Sequence, residues 1–292
     1  MTRNILITGA AGFIGAAISN RLLNRGENVI GIDDLNDYYD VNLKKSRLKR
    51  IYEAAAKANG EWSFFDFSIE NKDKLDELTD LFSPNIVINL AAQAGVRNSI
   101  ENPDKYLKTN LLGFGNMLEF CKNNRVENFI YASSSSVYGG NKNLPFKESH
   151  SVDHPINFYA ASKKANEVMA HSYSHLFQIP TIGLRFFTVY GPWGRPDMAL
   201  FIFTKAISED KPINVFNNGE MMRDFTYISD VTESIRRLID KPATGLKEFD
   251  REKPTPSTSW APHRIFNIGN SKPTQLMNYI AEIEKCLNKK AK

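Results

Sequence analysis

Apolar runs of strand length alternate along the first 180 residues with segments whose apolar positions recur at helical spacing. NILIT (4–8) reads as a buried strand, and FIGAAISNRLLNRG after it as a helix closed by Gly26. NVIGID (28–33), EWSFFDF (61–67), NIVINLA (85–91) and ENFIYAS (127–133) predict four further strands. Between them the pattern predicts a basic helix near 42–58, a helix over 72–82 and a long helix from Pro103 to about Asn123. FYAASKKANEVMAHSYSHLF (158–177) has helix character too. Alternating β and α units predict an α/β fold of Rossmann type, a doubly wound parallel sheet with helices on both faces. Ligands of such a sheet sit beyond the carboxyl ends of its strands.

After residue 180 the pattern loosens. PTIGLRF predicts one more strand, followed by irregular segments and short helices near 198–209, 229–240 and 273–288. This divides the chain into a cofactor-binding domain (1–179) and a smaller, partly interleaved C-terminal substrate domain (180–292) laid over the sheet edge. KPTPSTSWAP (253–262) is expected to be a flexible surface loop.

Composition narrows the function. Lys and Arg exceed Asp and Glu by 37 − 33 = 4 with no dense basic block, which argues against nucleic acid. The two cysteines, Cys121 and Cys286, lack metal-ligand or redox spacing and read as reduced packing residues of a cytoplasmic protein. The five histidines lack ligand spacing, so no metal is expected. The N-terminal run is broken by glycines and reads as neither signal peptide nor membrane span.

TGAAGFIGA places Gly9, Gly12 and Gly15 at the first strand-to-helix turn, with Phe13 and Ile14 between the last two. Glycines there let the backbone approach a pyrophosphate, whose charge the helix N-terminus favours. Asp33 ends the second strand about twenty residues on, where a ribose-binding carboxylate belongs. A carboxylate there repels a 2′-phosphate, so the expected cofactor is NAD rather than NADP. The alternative for Asp33 and Asp34 is a solvated turn.

Tyr159 and Lys163 stand at i and i+4, on one helical face. A nearby ammonium favours phenolate, so Tyr159 can accept a proton from an alcohol while hydride leaves for a nicotinamide. The pattern alone is weak. Beside a dinucleotide turn and the serine cluster YASSSSVYGG it becomes specific.

TGAAGFIG, LAAQAGVRNSIENP, SSSSVYG, YAASK, LRFFTVYGPWGRPDMA and MMRDFTYISDV together resemble the extended short-chain dehydrogenase/reductases, most of all their nucleotide-sugar epimerases acting on UDP-glucuronate at C4. The resemblance covers nearly the whole chain. It implies that Ser134 is the hydroxyl partner of Tyr159 and that Lys163 orients cofactor and phenol. It further implies that Asp66 and Phe67 flank the adenine, and that Ala91, Ala92 and Gln93 line the cofactor cleft. Related dehydratases carry Asp-Glu where this chain has Ser135 and Ser136. Neither serine is a good acid or base near neutral pH, which favours reversible oxidation and reduction with nothing expelled.

Oxidising a uronic acid at C4 gives a β-keto acid prone to lose CO2, so its carboxylate must be held out of alignment. Arg195 is the candidate clamp, aided by Thr188 and the Ser135 and Ser136 hydroxyls. The alternative for Arg195 is a loop arginine paired with Asp197. Arg223 is expected to face the UDP diphosphate, or else to bridge Asp224 or Asp230. The family normally runs several dozen residues beyond Lys292, adding a strand, a helix and groups near the diphosphate, which puts UDP-sugar affinity in question. The expected activity is NAD-dependent 4-epimerisation of UDP-glucuronate to UDP-galacturonate through a 4-keto intermediate, in a homodimer joined through the helices near 103–123 and 158–177. The rivals are a 4-epimerase of neutral UDP-hexoses and an NAD-binding protein without turnover.

Overall fold

The computed structural model describes residues 2–292, the Asn217 side chain excepted. Strand β1 (Asn4–Thr8) leads through Gly12 into α1 (Phe13–Leu23), and β2 (Asn28–Asp33) into α2 (Val41–Ala55). Then come β3 (Trp62–Asp66), α3 (Lys72–Leu81), β4 (Ile86–Asn89) and the short α4 (Asn98–Glu101) and α5 (Pro103–Tyr106). A π-helical stretch, Leu107–Gly113, joins α5 to α6 (Phe114–Asn123). Strand β5 (Asn128–Ser134) ends in a 3-10 turn, Ser135–Tyr138, and precedes the 20-residue α7 (Phe158–Phe177). The remainder is β6 (Thr181–Phe186), β7 (Thr188–Tyr190), α8 (Ala199–Ser208), β8 (Met222–Tyr227), α9 (Ile228–Ile239), β9 (His263–Ile268), β10 (Pro273–Gln275) and α10 (Leu276–Leu287).

Seven strands form one parallel sheet in the order β3-β2-β1-β4-β5-β6-β9, with the order reversing at β1/β4. Alternation along β1 splits the core. Ile5 and Ile7 pack in the layer of α1 and α9, whereas Leu6 faces the layer of α3, α6 and α7. The expected Rossmann-type sheet, covered on both faces, is therefore present. The smaller layer is a three-stranded sheet, β10-β8-β7, beside α8 and α10, which share a core of Phe203, Ile207, Leu276, Ile280 and Ile283.

Residue 180 does not coincide with a break in the sheet. β6 and β9 belong to the large sheet, and α9 packs on α1 and β5, so the chain after 180 contributes to both layers. β9 escapes sequence pattern because HRIFNI opens on two basic residues, yet His263 is buried. Two expectations change. The helix after Pro103 is continuous in direction but π-wound over 107–113. The 253–262 segment has no regular structure but is pinned: Ser259 is buried against His171, and Trp260 Nε1 donates to His175 at 3.0 Å. No helix among the described residues is long and apolar enough to cross a membrane.

Candidate active site

The turn after β1 is shaped by backbone proximity. Gly9 has φ +68°, and a Cβ there would lie 2.8 Å from the Ala91 nitrogen. A Cβ on Gly15 would lie 2.0 Å from the Gly9 carbonyl oxygen, so only glycine lets α1 start this close to the turn. The result is a side-chain-free cradle at the N-terminus of an 11-residue helix, with Phe13 and Ile14 in its first turn. Such a cradle fits a dinucleotide pyrophosphate.

Asp33 closes the turn from β2. One carboxylate oxygen accepts the Ala11 N–H at 3.0 Å, the other the Leu35 N–H at 2.9 Å, and the Lys44 ammonium lies 3.9 Å away. Burial pushes its pKa up, against the pull of Lys44. It is thus neither a solvated turn nor a free carboxylate: it braces the glycine turn at the site's edge. Asp66 lies in register with Asp33 at the end of β3, exposed, and Phe67 follows under the Lys74 ammonium at 5.7 Å. Ala91 donates its N–H to Thr8 Oγ1 at 3.1 Å, which sets the start of the Ala91–Ala92–Gln93 wall. All of these groups lie at the carboxyl ends of β1 to β4, around the point of strand-order reversal.

β5 delivers the serines and α7 the tyrosine and lysine. Asn157 caps α7 by accepting the Ala160 N–H at 2.8 Å, which fixes where Tyr159 begins the helix. Ser134 Oγ accepts the Ser136 N–H at 3.1 Å and lies beside the Tyr159 phenol, favouring its ionised form. Burial dominates and raises the Tyr159 pKa; Ser134 and then Arg195 oppose it. The Lys163 ammonium is buried, and its proton is directed at the Ala132 carbonyl, 2.9 Å away. Burial brings Lys163 down to about 8. Arg195 is thus a cation that favours the Tyr159 phenolate, while Lys163, one helical turn on from Tyr159, is turned to the Ala132 carbonyl.

The match to known proteins now decides the family. The sequence profile of the NAD dependent epimerase/dehydratase family matches residues 5–269. The chain belongs to that family. It is 54% identical to Protein CapI of Staphylococcus aureus over 99% of this chain and 84% of that one. It is 45% identical to a probable UDP-glucuronate 4-epimerase of Rhizobium meliloti, covering 98% and 83%. Its backbone superposes with a TM-score of 0.81 on UDP-glucuronic acid 4-epimerase from Bacillus cereus in complex with UDP-glucuronic acid and NAD, at 32% identity over 99% and 84%. It superposes at 0.80 on UDP-glucose 4-epimerase from Thermotoga maritima, at 28% identity over 99% and 84%.

In this NAD-dependent epimerase/dehydratase, the residues expected on the substrate side begin with the loop after β7. Arg195 pairs with Asp197 through two bonds, Nε at 3.0 Å and Nη2 at 2.5 Å, as the alternative reading had it. The same guanidinium lies 5.9 Å from the Tyr38 ring, and its charge favours the Tyr159 phenolate. Ser135 and Ser136 are half-buried in the 3-10 turn, and Thr188 is half-buried at the start of β7. Arg223 stands apart on the exposed side of β8. Its guanidinium meets the Met221 sulfur at 3.9 Å and bridges neither Asp224 nor Asp230. Asp224 instead accepts the N–H groups of Asn270 and Ser271, both at 2.9 Å.

Two elements of the site lie outside the motif reading. Asn110, in the π-helical stretch, accepts the Gln93 N–H at 2.8 Å and donates to the Gln93 carbonyl at 3.1 Å and to Ser162 Oγ at 3.0 Å. It clips the cofactor wall to α7, and a π-wound turn at such a point fits the common siting of these turns at functional centres. Behind the serines, Glu167 accepts Ser133 Oγ at 2.6 Å and a two-pronged pair from Arg185 at 2.9 and 3.0 Å, all buried. Glu167 is one turn beyond Lys163, and Arg185 is a charge inside an apolar strand. That mismatch was the available signal.

Proposed function

We propose that this protein interconverts UDP-glucuronate and UDP-galacturonate by oxidation and re-reduction at C4. The observation that carries the reading is the Tyr159–Ser134 pair at the carboxyl end of β5 with the Arg195 guanidinium acting on the phenol. NAD+, when bound, supplies the acceptor that takes a hydride from C4 and returns it to the opposite face. Tyr159 Oη takes the O4 proton and later restores it. Ser134, fixed by the Ser136 N–H, holds the same oxygen. Lys163, with one proton already on Ala132, has donors left for the cofactor ribose and leaves proton transfer to the phenol. Ser135 and Ser136, lacking acid–base capacity at neutral pH, leave water loss without a shuttle. Arg195, with Thr188 nearby in sequence, is the group that meets the uronate carboxylate. Arg223, exposed on β8, is available to the diphosphate.

A second reading, a 4-epimerase of neutral UDP-hexoses, is favoured by one observation: Arg195 already has an anionic partner in Asp197. The relatives include enzymes named for both substrate types. Incubating the purified chain with NAD+ and either UDP-glucuronate or UDP-glucose separates them. Selective formation of UDP-galacturonate, lost by about 10²–10⁴-fold in Tyr159→Phe, is expected. Conversion of UDP-glucose alone points to the second reading. We read the exposed Leu112, Val168 and Leu176, beside and on α6 and α7, as a homodimer contact, which sedimentation equilibrium tests.

A further inference from the structure

Arg47 is a buried guanidinium, 1% exposed, on α2, and it uses its whole donor fork without a carboxylate. Nε and Nη2 donate to the Trp193 carbonyl at 3.0 and 2.7 Å, and Nη2 also to the Gly194 carbonyl at 3.1 Å. Nη1 donates to the Ala11 carbonyl at 3.1 Å and to Tyr39 Oη at 2.6 Å. Ala11 sits in the glycine turn, and its N–H is held by Asp33. Trp193 and Gly194 immediately precede Arg195. One side chain thus joins the cofactor turn to the loop that carries Arg195.

The loop needs such a fastening. Trp193 is a bulky residue at φ +65°, a left-handed conformation that side chains disfavour unless neighbours hold it. Arg47 binds its carbonyl twice, and the Arg50 guanidinium covers its indole at 4.7 Å. Gly194 is confined as well, since a Cβ there would lie 2.5 Å from the Phe201 ring. Released from Arg47, this turn has a strained residue at its apex and lacks the fork that fixes both carbonyls.

We propose that Arg47 is a positioning residue that couples dinucleotide binding at the glycine turn to the placement of Arg195. The inference rests on the proposed function only in taking Arg195 as substrate-facing. The coupling itself is read without any substrate. By linkage, a cofactor that steadies the Ala11 carbonyl steadies the 192–195 loop through the shared guanidinium.

Amide hydrogen exchange of the whole chain, with and without saturating NAD+, tests this. In the wild type, NAD+ is expected to slow exchange over 192–198 by about tenfold, together with the start of α1. In Arg47→Gln the protection at α1 is kept and that at 192–198 is lost. Equal protection of the loop in the variant, no protection in the wild type, or a variant that binds no NAD+ each overturns the proposal. Should Arg47→Gln fail to fold, Arg47→Lys keeps the buried charge but reaches one side only, and the same comparison applies. Should neither fold, the wild-type arm decides: a protected loop supports the coupling and an unprotected one ends it. A chain that turns over no UDP-glucuronate yet shows the coupling refutes the function alone.

Discussion

Arg195 and Asp197, two residues apart, form a two-pronged ion pair at 3.0 and 2.5 Å, with the guanidinium 5.9 Å from the Tyr38 ring. Guanidinium grips carboxylate best in this geometry, which is also the geometry a uronate carboxylate would seek. On the proposed function, substrate and Asp197 compete for one fork. Removing the competitor's charge leaves Asp197→Asn with a guanidinium freer to meet an anionic sugar. We expect its KM for UDP-glucuronate to fall several-fold while KM for UDP-glucose stays put. Parallel initial-rate measurements check this, and an unchanged ratio means that the ion pair persists with substrate bound.

Lys163 is expected to show a conflict between stability and activity. Its ammonium is buried, and burial lowers its pKa from 10.5 to about 8. Below pH 8 the folded and unfolded chains both carry the proton, and the folded state bears the full burial cost. Between about 8 and 10.5 the unfolded chain binds more protons, so this contribution makes stability rise with pH. The displacement corresponds to about 3 kcal/mol, less about 1 for the bond to Ala132. Lys163→Met, without added cofactor, should be more stable at pH 7 by about 2 kcal/mol, with the gap closing toward pH 10.5. Its turnover should vanish. Denaturant unfolding at the two pH values measures the gap.

The Glu167–Arg185 pair predicts the opposite sign. Both side chains are buried, and Glu167 also accepts Ser133, the neighbour of Ser134. Leaving a buried guanidinium unpaired costs about 3–5 kcal/mol. Glu167→Gln should lose that much in urea unfolding, whereas replacing both residues, Glu167→Met with Arg185→Met, should recover a large part. If the single variant loses less than about 1 kcal/mol, water or Tyr138 satisfies Arg185 and the pair is not structural.

These cases show what was legible in the sequence. β1 and β2 were readable to the residue because each is a buried run bounded by Gly or Asp, and α7 was readable from the helix character of 158–177. Gly9, Gly12, Gly15, Ser134, Tyr159 and Lys163 converge at the strand ends because their motif positions are local. Asp33's brace on Ala11, Arg47's bonds to Ala11, Trp193 and Gly194, and Glu167's grip on Arg185 join residues 18 to 147 apart. No local period encodes such partners. β9 was hidden because a buried histidine reads as polar, and the π-wound 107–113 because one extra residue per turn leaves little trace in a short pattern.

His263 provides the last prediction. Its Nδ1 lies 2.7 Å from Thr181 Oγ1, buried at the start of the edge strand β9, with the His171 ring 5.3 Å away. Burial first, then His171, Arg264 and Arg185, lower its pKa from 6.5 to about 3. The folded protein thus excludes a proton that the unfolded chain binds near 6.5. Stability from this group is full above that value and is lost as pH falls toward 3. From pH 7 to pH 5 the loss should reach about 2 kcal/mol. His263→Gln keeps a polar partner for Thr181 and has no proton to gain, so its stability should change less over that interval. Urea midpoints at pH 7, 6 and 5 decide. Parallel slopes for the two proteins assign the acid sensitivity to other groups, first of all to His171, whose pKa burial also lowers.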